Sequence, residues 1–377
     1  TYTGKTAVDA GGALTLAGPG SIGSSSEVRV DGTLDLSRVS AGAAIQTLSG
    51  AGTVALGNQT LTITDGSTVF AGSLRDGGQY NFTGGNVVIA GGLQSFSGTN
   101  TYTGGTAIHA GAGLALSGSL TGTVANGGYF ETTGTVTGTV MNAGVFIHNG
   151  IVDGQVRTTG LLKGNGTING LLTVGGRVAP GNSIGTLNVN GAAIFLPQAN
   201  YGAELGAAGT SDLIAVNGAV VADGVLTLIP AAGFTPTLGA QYRVLTATDG
   251  IVGSFTLQSD YFGTPGATLP FLGATVDRQG NSLDVTLVRS AVPFSALAQT
   301  PNAAATATVL EGVALNTPLG SALVGLPGAQ AQSAFNALSG EAYASTGTLI
   351  QQQAVYVREA VGSRLMQSLT APGVSPL

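Results

Sequence analysis

A repeat of sixteen residues between positions 121 and 182 constrains the fold of this chain more than any other feature. The tetrapeptides TGTV, TGTV, DGQV and NGLL begin at residues 121, 137, 153 and 169, and the spacing does not drift. A unit this short cannot bury an apolar face by itself, so its copies must stack on one another. The period therefore predicts a solenoid.

Within each repeat, two positions are regularly apolar and two are regularly glycine. We expect a unit of two strands whose apolar side chains point inward and form columns through the stack. The two predicted columns are Val124, Val140, Val156 and Leu172, and Phe130, Phe146, Leu162 and Val178. The glycines at 122, 138, 154 and 170 and at 128, 144, 160 and 176 keep the same phase, and we expect them to form corners with positive φ.

A longer repeat begins the chain, because TYTGKTAVDAGGALTLAG at 1–18 recurs at 101–118 as TYTGGTAIHAGAGLALSG. The predicted fold is all-β: a right-handed parallel β-helix (solenoid) capped by a small β domain and followed by a short helical linker. An antiparallel sandwich is the alternative. It fits a fixed period less well, because its hairpin loops vary in length whereas a solenoid must return each coil to the same register.

Composition excludes several classes of protein. Glycine accounts for 63 of 377 residues and only 8% of residues are charged, a balance unlike that of disordered chains. The net charge is −6 and the only lysines are Lys5 and Lys163, so no basic surface for nucleic acid is expected. The absence of cysteine excludes disulfides and thiolate metal sites.

The pattern changes twice along the chain. After residue 191 the sixteen-residue period gives way to longer alternating segments separated by turn signals such as Asp223-Gly224, and after Arg289 alanine, glutamine and leucine replace the β-branched residues. Thr300-Pro301 and Thr317-Pro318 are typical of helix starts, and a last helix is expected from Thr348 to Leu369, too polar for a lipid-exposed span. The predicted segments are 1–191, a parallel β-helix stalk; 192–290, a separate β cap; 291–345, a helical linker; and 346–377, a helix leading towards a further domain.

Two motifs are typical of catalytic or cofactor sites but lack the required context. The segment 181–185, GNSIG, matches a nucleophile elbow around Ser183, yet a strand-like TLNVNG follows it and both histidines precede it. The segment 18–23, GPGSIG, matches a dinucleotide-binding loop but no helical stretch follows. We interpret both as turns of the solenoid.

The remaining polar residues also point to surface and turn positions. His109 occupies the place of Asp9 in the longer repeat, and His148 follows Ile147 at the expected edge of a coil, so we expect both histidines to face solvent. Most aspartates adjoin a glycine, as in turns, and no carboxylate pair is singled out for glycoside hydrolysis. We therefore predict no catalytic, cofactor-binding or metal-binding residues and no cofactor.

Several segments resemble parts of one protein family. SFSGTNTYTGGTAIHAGAGLALSG at 95–118 resembles the autotransporter-associated β-strand repeat, and residues 1–18 are similar to the same element. LLKGNGTINGLLTVGGRVAPGNSIGTLNVNG at 161–191 resembles the end of many autotransporter β-helices, and the block at 211–289, from SDLIAVNG to LDVTLVR, resembles an autochaperone region. FSALAQTPNAAATA from 294 and AFNALSGEAYAST from 334 are similar to the helical linker before a translocator.

The resemblance, to an autotransporter (type V secretion) passenger, implies a function without chemistry in this chain. It implies a surface-exposed β-helical stalk whose cap promotes folding during outer-membrane secretion and which displays an N-terminal effector. The implied partners are the protein's own C-terminal outer-membrane β-barrel, the outer-membrane assembly machinery, and a host or bacterial cell surface. The implied location is the cell surface or outer membrane, or the medium after cleavage. Two alternatives stay open: an adhesin that binds cell surfaces through the β-helix, and the stalk of a secreted protease or esterase whose catalytic domain lies upstream of residue 1.

Overall fold

The computed structural model describes residues 3–370 and 373, and these fall into two compact units. The first comprises Thr1–Ser259 with Thr275–Leu287, and the second comprises Asp260–Ala274 with Val288–Leu377. The first two residues of the repeat at 1–18, and residues 371, 372 and 374–377 of the predicted last segment, lie outside the described residues.

The first unit is built almost entirely from short strands, numbered here in chain order. Near the N-terminus they form two small parallel sheets, one of β1 (Thr6–Val8), β3 (Val28–Val30) and β6 (Leu48–Ser49), the other of β2 (Ala13–Gly18), β4 (Thr33–Val39), β7 (Thr53–Ala55) and β10 (Ser73–Arg75). Three longer sheets follow, and successive coils of the chain contribute one strand to each of them.

Sheet 1 has eleven parallel strands: β5 (Ala43–Ile45), β8 (Thr60–Ile63), β11 (Asn86–Ile89), β14 (Gly105–Ile108), β17 (Val124–Asn126), β20 (Val140–Asn142), β23 (Val156–Thr158), β26 (Leu172–Val174), β29 (Ala193–Phe195), β32 (Val220–Ala222) and β35 (Ile251–Gly253). Sheet 2 has ten parallel strands: β9 (Val69–Phe70), β12 (Leu93–Phe96), β15 (Gly113–Leu116), β18 (Tyr129–Thr132), β21 (Val145–His148), β24 (Leu161–Gly164), β27 (Arg177–Pro180), β30 (Asn200–Leu205), β33 (Val225–Pro230) and β36 (Thr256–Gln258).

Sheet 3 also has ten strands: β13 (Thr99–Asn100), β16 (Ser119–Thr121), β19 (Thr135–Thr137), β22 (Ile151–Asp153), β25 (Thr167–Ile168), β28 (Thr186–Val189), β31 (Leu213–Val216), β34 (Gln241–Ala247), β38 (Ser282–Arg289) and β37 (Leu272–Gln279). Its strands run parallel from β13 to β34. β38 then pairs with β34 in the antiparallel direction.

Both predicted columns are confirmed. Val124 pairs with Val140, Val140 with Val156 and Val156 with Leu172, all in parallel register in sheet 1. The second column stacks in the same way in sheet 2, and the rings of Phe130 and Phe146 lie 4.9 Å apart at an interplanar angle of 7°. The side chains of both columns are buried, so the sixteen-residue period does specify a parallel solenoid.

The prediction of two strands per coil is wrong, because each coil has a third strand in sheet 3. This sheet carries its own buried column of Leu120, Val136, Val152 and Ile168. The strands of this column have only two or three residues and one inward side chain each. A strand that short offers no alternation from which it could be predicted.

The glycine columns have two different causes. Gly122, Gly138 and Gly154 have positive φ angles of 101°, 147° and 158°, as expected. The expectation is wrong for Gly170 of the same column, which has no positive φ and where a Cβ atom would overlap the carbonyl oxygen of Gly154. The column that includes Gly144 has no positive φ; a Cβ atom at Gly144 would instead overlap the carbonyl oxygen of Gly128 in the preceding coil. Glycine is needed in this second column because neighbouring coils approach closely.

The predicted change of architecture at residue 192 does not occur. β29 to β36 continue the same three sheets, with Leu172 paired to Ala193 and Ala193 to Val220. The sixteen-residue period ends there because the connections between strands lengthen, while the strands stay in the stack. Departures from the parallel arrangement include β38, antiparallel to β34, and the isolated antiparallel bridge between Leu205 and Ser211.

The second unit contains the helices α1 (Pro301–Leu310), α2 (Pro318–Val324), α3 (Gly328–Leu338) and α4 (Glu341–Thr370). Both predicted helix starts are observed: Thr300 Oγ1 accepts a hydrogen bond from the Ala303 amide, and Thr317 Oγ1 accepts one from the Gly320 amide. Phe271, Phe294 and Phe335 form the buried centre of this unit.

The last helix differs from the others. α4 begins at Glu341, earlier than predicted, and none of its described side chains is buried. No helix in residues 3–370 is both long and apolar enough to cross a membrane.

Candidate functional site

An open groove of about 590 Å³ lies on the outer face of sheet 1. Ala107, Ala125, Met141 and Arg157 follow one another in register along this face, one from each of four adjacent strands. They point outward because their neighbours on each strand face the core. His109, exposed in the turn after β14, also lines the groove.

The lining of this groove is mostly apolar, with one cation and one imidazole. Its floor is apolar, and Arg157 forms no ion pair within the part of the chain that the structure describes. No carboxylate lines the groove, so His109 has no acidic partner there for acid–base chemistry.

A second groove, of about 640 Å³, lies on the outer face of sheet 2. Leu93, Tyr129 and Val145 stand above a floor of glycines that includes Gly113. The Tyr129 hydroxyl donates a 2.7 Å hydrogen bond to Glu131, and burial together with this carboxylate raises the pKa of Tyr129 to about 12. The phenol therefore stays protonated, and it is not a candidate base at neutral pH.

The prediction that His148 faces solvent is wrong. Its side chain is fully buried, 5.2 Å from the Phe146 ring, and its Nε2 donates a 3.1 Å hydrogen bond to the carbonyl oxygen of Thr167. Burial lowers the pKa of His148 to about 4. The missed signal was alternation, because Phe146 and His148 are two residues apart on β21 and so share the inward face.

Ser183 lies exposed in a bend that leads into β28, with no helix after it. The bend is held by Asp212, which is buried and accepts hydrogen bonds from the amides of Gly185 at 2.9 Å and Glu204 at 3.0 Å. Burial raises the pKa of Asp212 to about 6. Sequence reasoning did not identify Asp212. Its perturbed pKa comes with a role in holding two backbone segments, which does not require a substrate.

The remaining candidates lie in turns. The segment 18–23 leaves β2 and passes through turns towards β3 without a helix, so no helix N-terminus faces it. His109 and Asp9 are both exposed in equivalent turns, as the repeat predicts. Across residues 3–370 and 373, no group of three or more His, Asp or Glu side chains is placed to hold a metal ion.

A buried polar column in sheet 1 was also missed. Asn126 Nδ2 donates to Asn142 Oδ1 at 2.7 Å, and Asn142 Nδ2 donates to Thr158 Oγ1 at 2.9 Å. Each amide also donates to the carbonyl oxygen of the first residue of a sheet 2 strand in the next coil, Val145 or Leu161. These polar groups satisfy one another from coil to coil, so they serve the stack and not a ligand.

Part of the chain is similar to a known protein. Over 180 residues it is 31% identical to a protein of Serratia marcescens described as an extracellular serine protease. The match covers 45% of this chain and 17% of that relative, so the chain corresponds to less than a fifth of the relative's length. No protein-family model matches the chain. The parallel β-solenoid and the similarity to an extracellular protein fit a passenger stalk and a secreted or surface location.

Proposed function

We propose that this chain is the stalk of an autotransporter passenger, which holds an N-terminal effector away from the bacterial surface. The observation that carries the proposal is the unbroken stack: sheets 1 and 2 run through ten or more coils with parallel register. Such a stack grows by adding each new coil to the edge of the last one, which suits a chain that emerges from a membrane progressively.

We propose further that residues 192–290 promote folding of the coils before them. A coil without a neighbour exposes unpaired backbone groups and an apolar edge. Tyr201, Tyr242 and Val244 are buried in this part of the chain, and the Tyr201 hydroxyl donates a 2.6 Å hydrogen bond to the Val244 carbonyl oxygen. This aromatic packing supports a stable end on which earlier coils can assemble.

Truncation tests this role. A chain ending at residue 191 should be digested rapidly by protease and should melt at a lower temperature than the full chain. A chain ending at residue 290 is the matched control and should retain folded coils. Unchanged melting of residues 1–191 would contradict a folding role for 192–290.

We propose that this chain has no catalytic activity of its own. The exposed bend at Ser183 and the groove without carboxylates support this. Purified chain should hydrolyse peptide, ester and glycan substrates no faster than a boiled sample. Turnover that is lost in Ser183→Ala would show that the serine is a nucleophile.

α4 is proposed to lead into the lumen of the protein's own outer-membrane barrel. Its exposure over thirty residues supports a surrounding partner or a hydrated pore. In the full-length protein, cross-linkers at Gln353 or Arg364 should capture residues of the barrel interior. Capture by lipid probes alone would contradict this placement.

Each of two further functions is supported by a specific observation. The open grooves on sheets 1 and 2 favour an adhesin that binds cell surfaces through the β-helix. The described activity of the Serratia marcescens protein favours a stalk for a secreted protease. The sequence upstream of residue 1 distinguishes the protease from the other two, since it would carry the nucleophile.

A further inference from the structure

The loop between β10 and β11, residues 76–85, places two aromatic rings outside any core. Tyr80 is 48% exposed and Phe82 is 49% exposed. Their ring centroids lie 5.7 Å apart at an angle of 58°. Exposed aromatic side chains grouped on a connecting loop often mark a binding surface.

Asp35 fixes the conformation of the first half of this loop. This buried carboxylate accepts a 2.9 Å hydrogen bond from the Ser37 amide and a 2.7 Å hydrogen bond from the Gln79 amide. Ser37 Oγ accepts a further hydrogen bond, at 3.1 Å, from the Tyr80 amide. The backbone that carries Tyr80 is thus attached to β4, within the stack.

The second half is held by Asp76. Its carboxylate accepts hydrogen bonds from the amides of Gly84 at 3.2 Å and Gly85 at 2.9 Å, and from the Thr103 hydroxyl at 2.7 Å. Two carboxylates therefore fix both ends of the loop. A loop that is already ordered loses little conformational entropy when it binds, which raises affinity for a ligand.

Polar groups alternate with the two rings. Gln79, Asn81 and Thr83 are all exposed, and each side-chain amide offers both donors and an acceptor. The Arg38 guanidinium lies 5.4 Å from the Tyr80 ring centroid and donates a 3.0 Å hydrogen bond to Gln79 Oε1. The surface thus combines apolar ring faces with a rim of hydrogen-bonding groups and one cation.

We propose that this surface, formed by Arg38 and residues 79–83, binds a pyranose sugar of a glycan. A pyranose has an apolar C–H face, which can pack on Tyr80 or Phe82, and a rim of hydroxyls that both donate and accept, which the amides of Gln79 and Asn81 match. The size of the surface also favours a small ligand, because a stable protein interface takes about 20–30 residues a side. The inference does not depend on the proposed stalk function.

The test uses the full chain on an array of neutral and acidic pyranose oligosaccharides. Tyr80→Ala/Phe82→Ala should weaken glycan binding by about tenfold or more, as expected when buried aromatic contacts at the centre of an interface are removed. Tyr343→Ala, at an exposed tyrosine of α4, is the matched control and should bind unchanged. Arg38→Gln distinguishes the two kinds of glycan, because it should weaken binding of acidic sugars only.

Ser37→Ala provides a second measurement that leaves both rings in place. It removes the acceptor for the Tyr80 amide, so it should weaken binding while the melting temperature of the chain stays close to that of the wild type. The proposal is overturned if the wild-type chain binds no glycan on the array, or if the double variant binds as well as the wild type. Ring-dependent binding to phosphatidylcholine vesicles without glycan binding would likewise overturn it and assign the surface to lipid.

Discussion

The buried His148 predicts that the coils around it lose stability in mild acid. In the unfolded chain a histidine has a pKa near 6.5, whereas burial holds the pKa of His148 at about 4 in the folded chain. Between these values the unfolded state binds a proton that the folded state does not. Stability is therefore complete above pH 6.5 and falls as the pH falls towards 4.

The size of the effect follows from the pKa difference. Lowering the pKa from 6.5 to about 4 corresponds to about 3 kcal/mol of lost stability in full, and to about 2 kcal/mol at pH 5. His148→Thr is the informative variant, because Thr132 occupies the same position in the preceding coil and is also fully buried. Threonine does not titrate, so this variant removes the pH dependence without inserting a residue foreign to the column.

Urea unfolding at pH 7.5 and pH 5.0 measures the difference, and hydrogen exchange over residues 145–168 shows whether the loss is local. The stability of the wild type should fall by about 2 kcal/mol more than that of His148→Thr. His109→Thr is the control, since it removes an exposed histidine and leaves His148 in place. If the free energy of unfolding falls by the same amount in the wild type and in His148→Thr, His148 is not held neutral in the core.

Three further predictions concern the stack. Asp212→Asn should remove a pH dependence of the opposite sign. Burial raises the pKa of Asp212 from 3.8 to about 6 in the folded chain, so its protonated carboxyl stabilises the fold below pH 3.8, and this contribution is lost as the pH rises to 6. Urea unfolding of the variant and the wild type at pH 4 and pH 7 would show the difference. Gly144→Ala should lower the melting temperature because its Cβ would overlap the Gly128 carbonyl, whereas Gly362→Ala, in open space within α4, should not lower it. Tyr242→Ala should destabilise the chain by about 3–5 kcal/mol in urea, since the ring is buried, and a loss below about 1 kcal/mol would contradict its part in a stable end.

The repeating unit, and the positions that the repeat makes equivalent, follow from the amino-acid sequence without the structure. The sixteen-residue spacing is enough to align Val124 with Val140 and Phe130 with Phe146, because only a stack returns identical residues to the same register. The helix starts at Thr300 and Thr317 could also be predicted from the sequence, since capping depends on residues that are close in sequence.

The surroundings of each position depend on how the coils assemble. His148 was predicted to face solvent because histidine is polar; alternation on β21 puts it on the same face as Phe146, and the stack encloses both in the core. The strands after residue 192 looked like a new domain because their spacing changed, yet pairing with the preceding coil kept them in the solenoid. Pairing depends on residues of other coils, and the local pattern of a strand of three or four residues does not contain them.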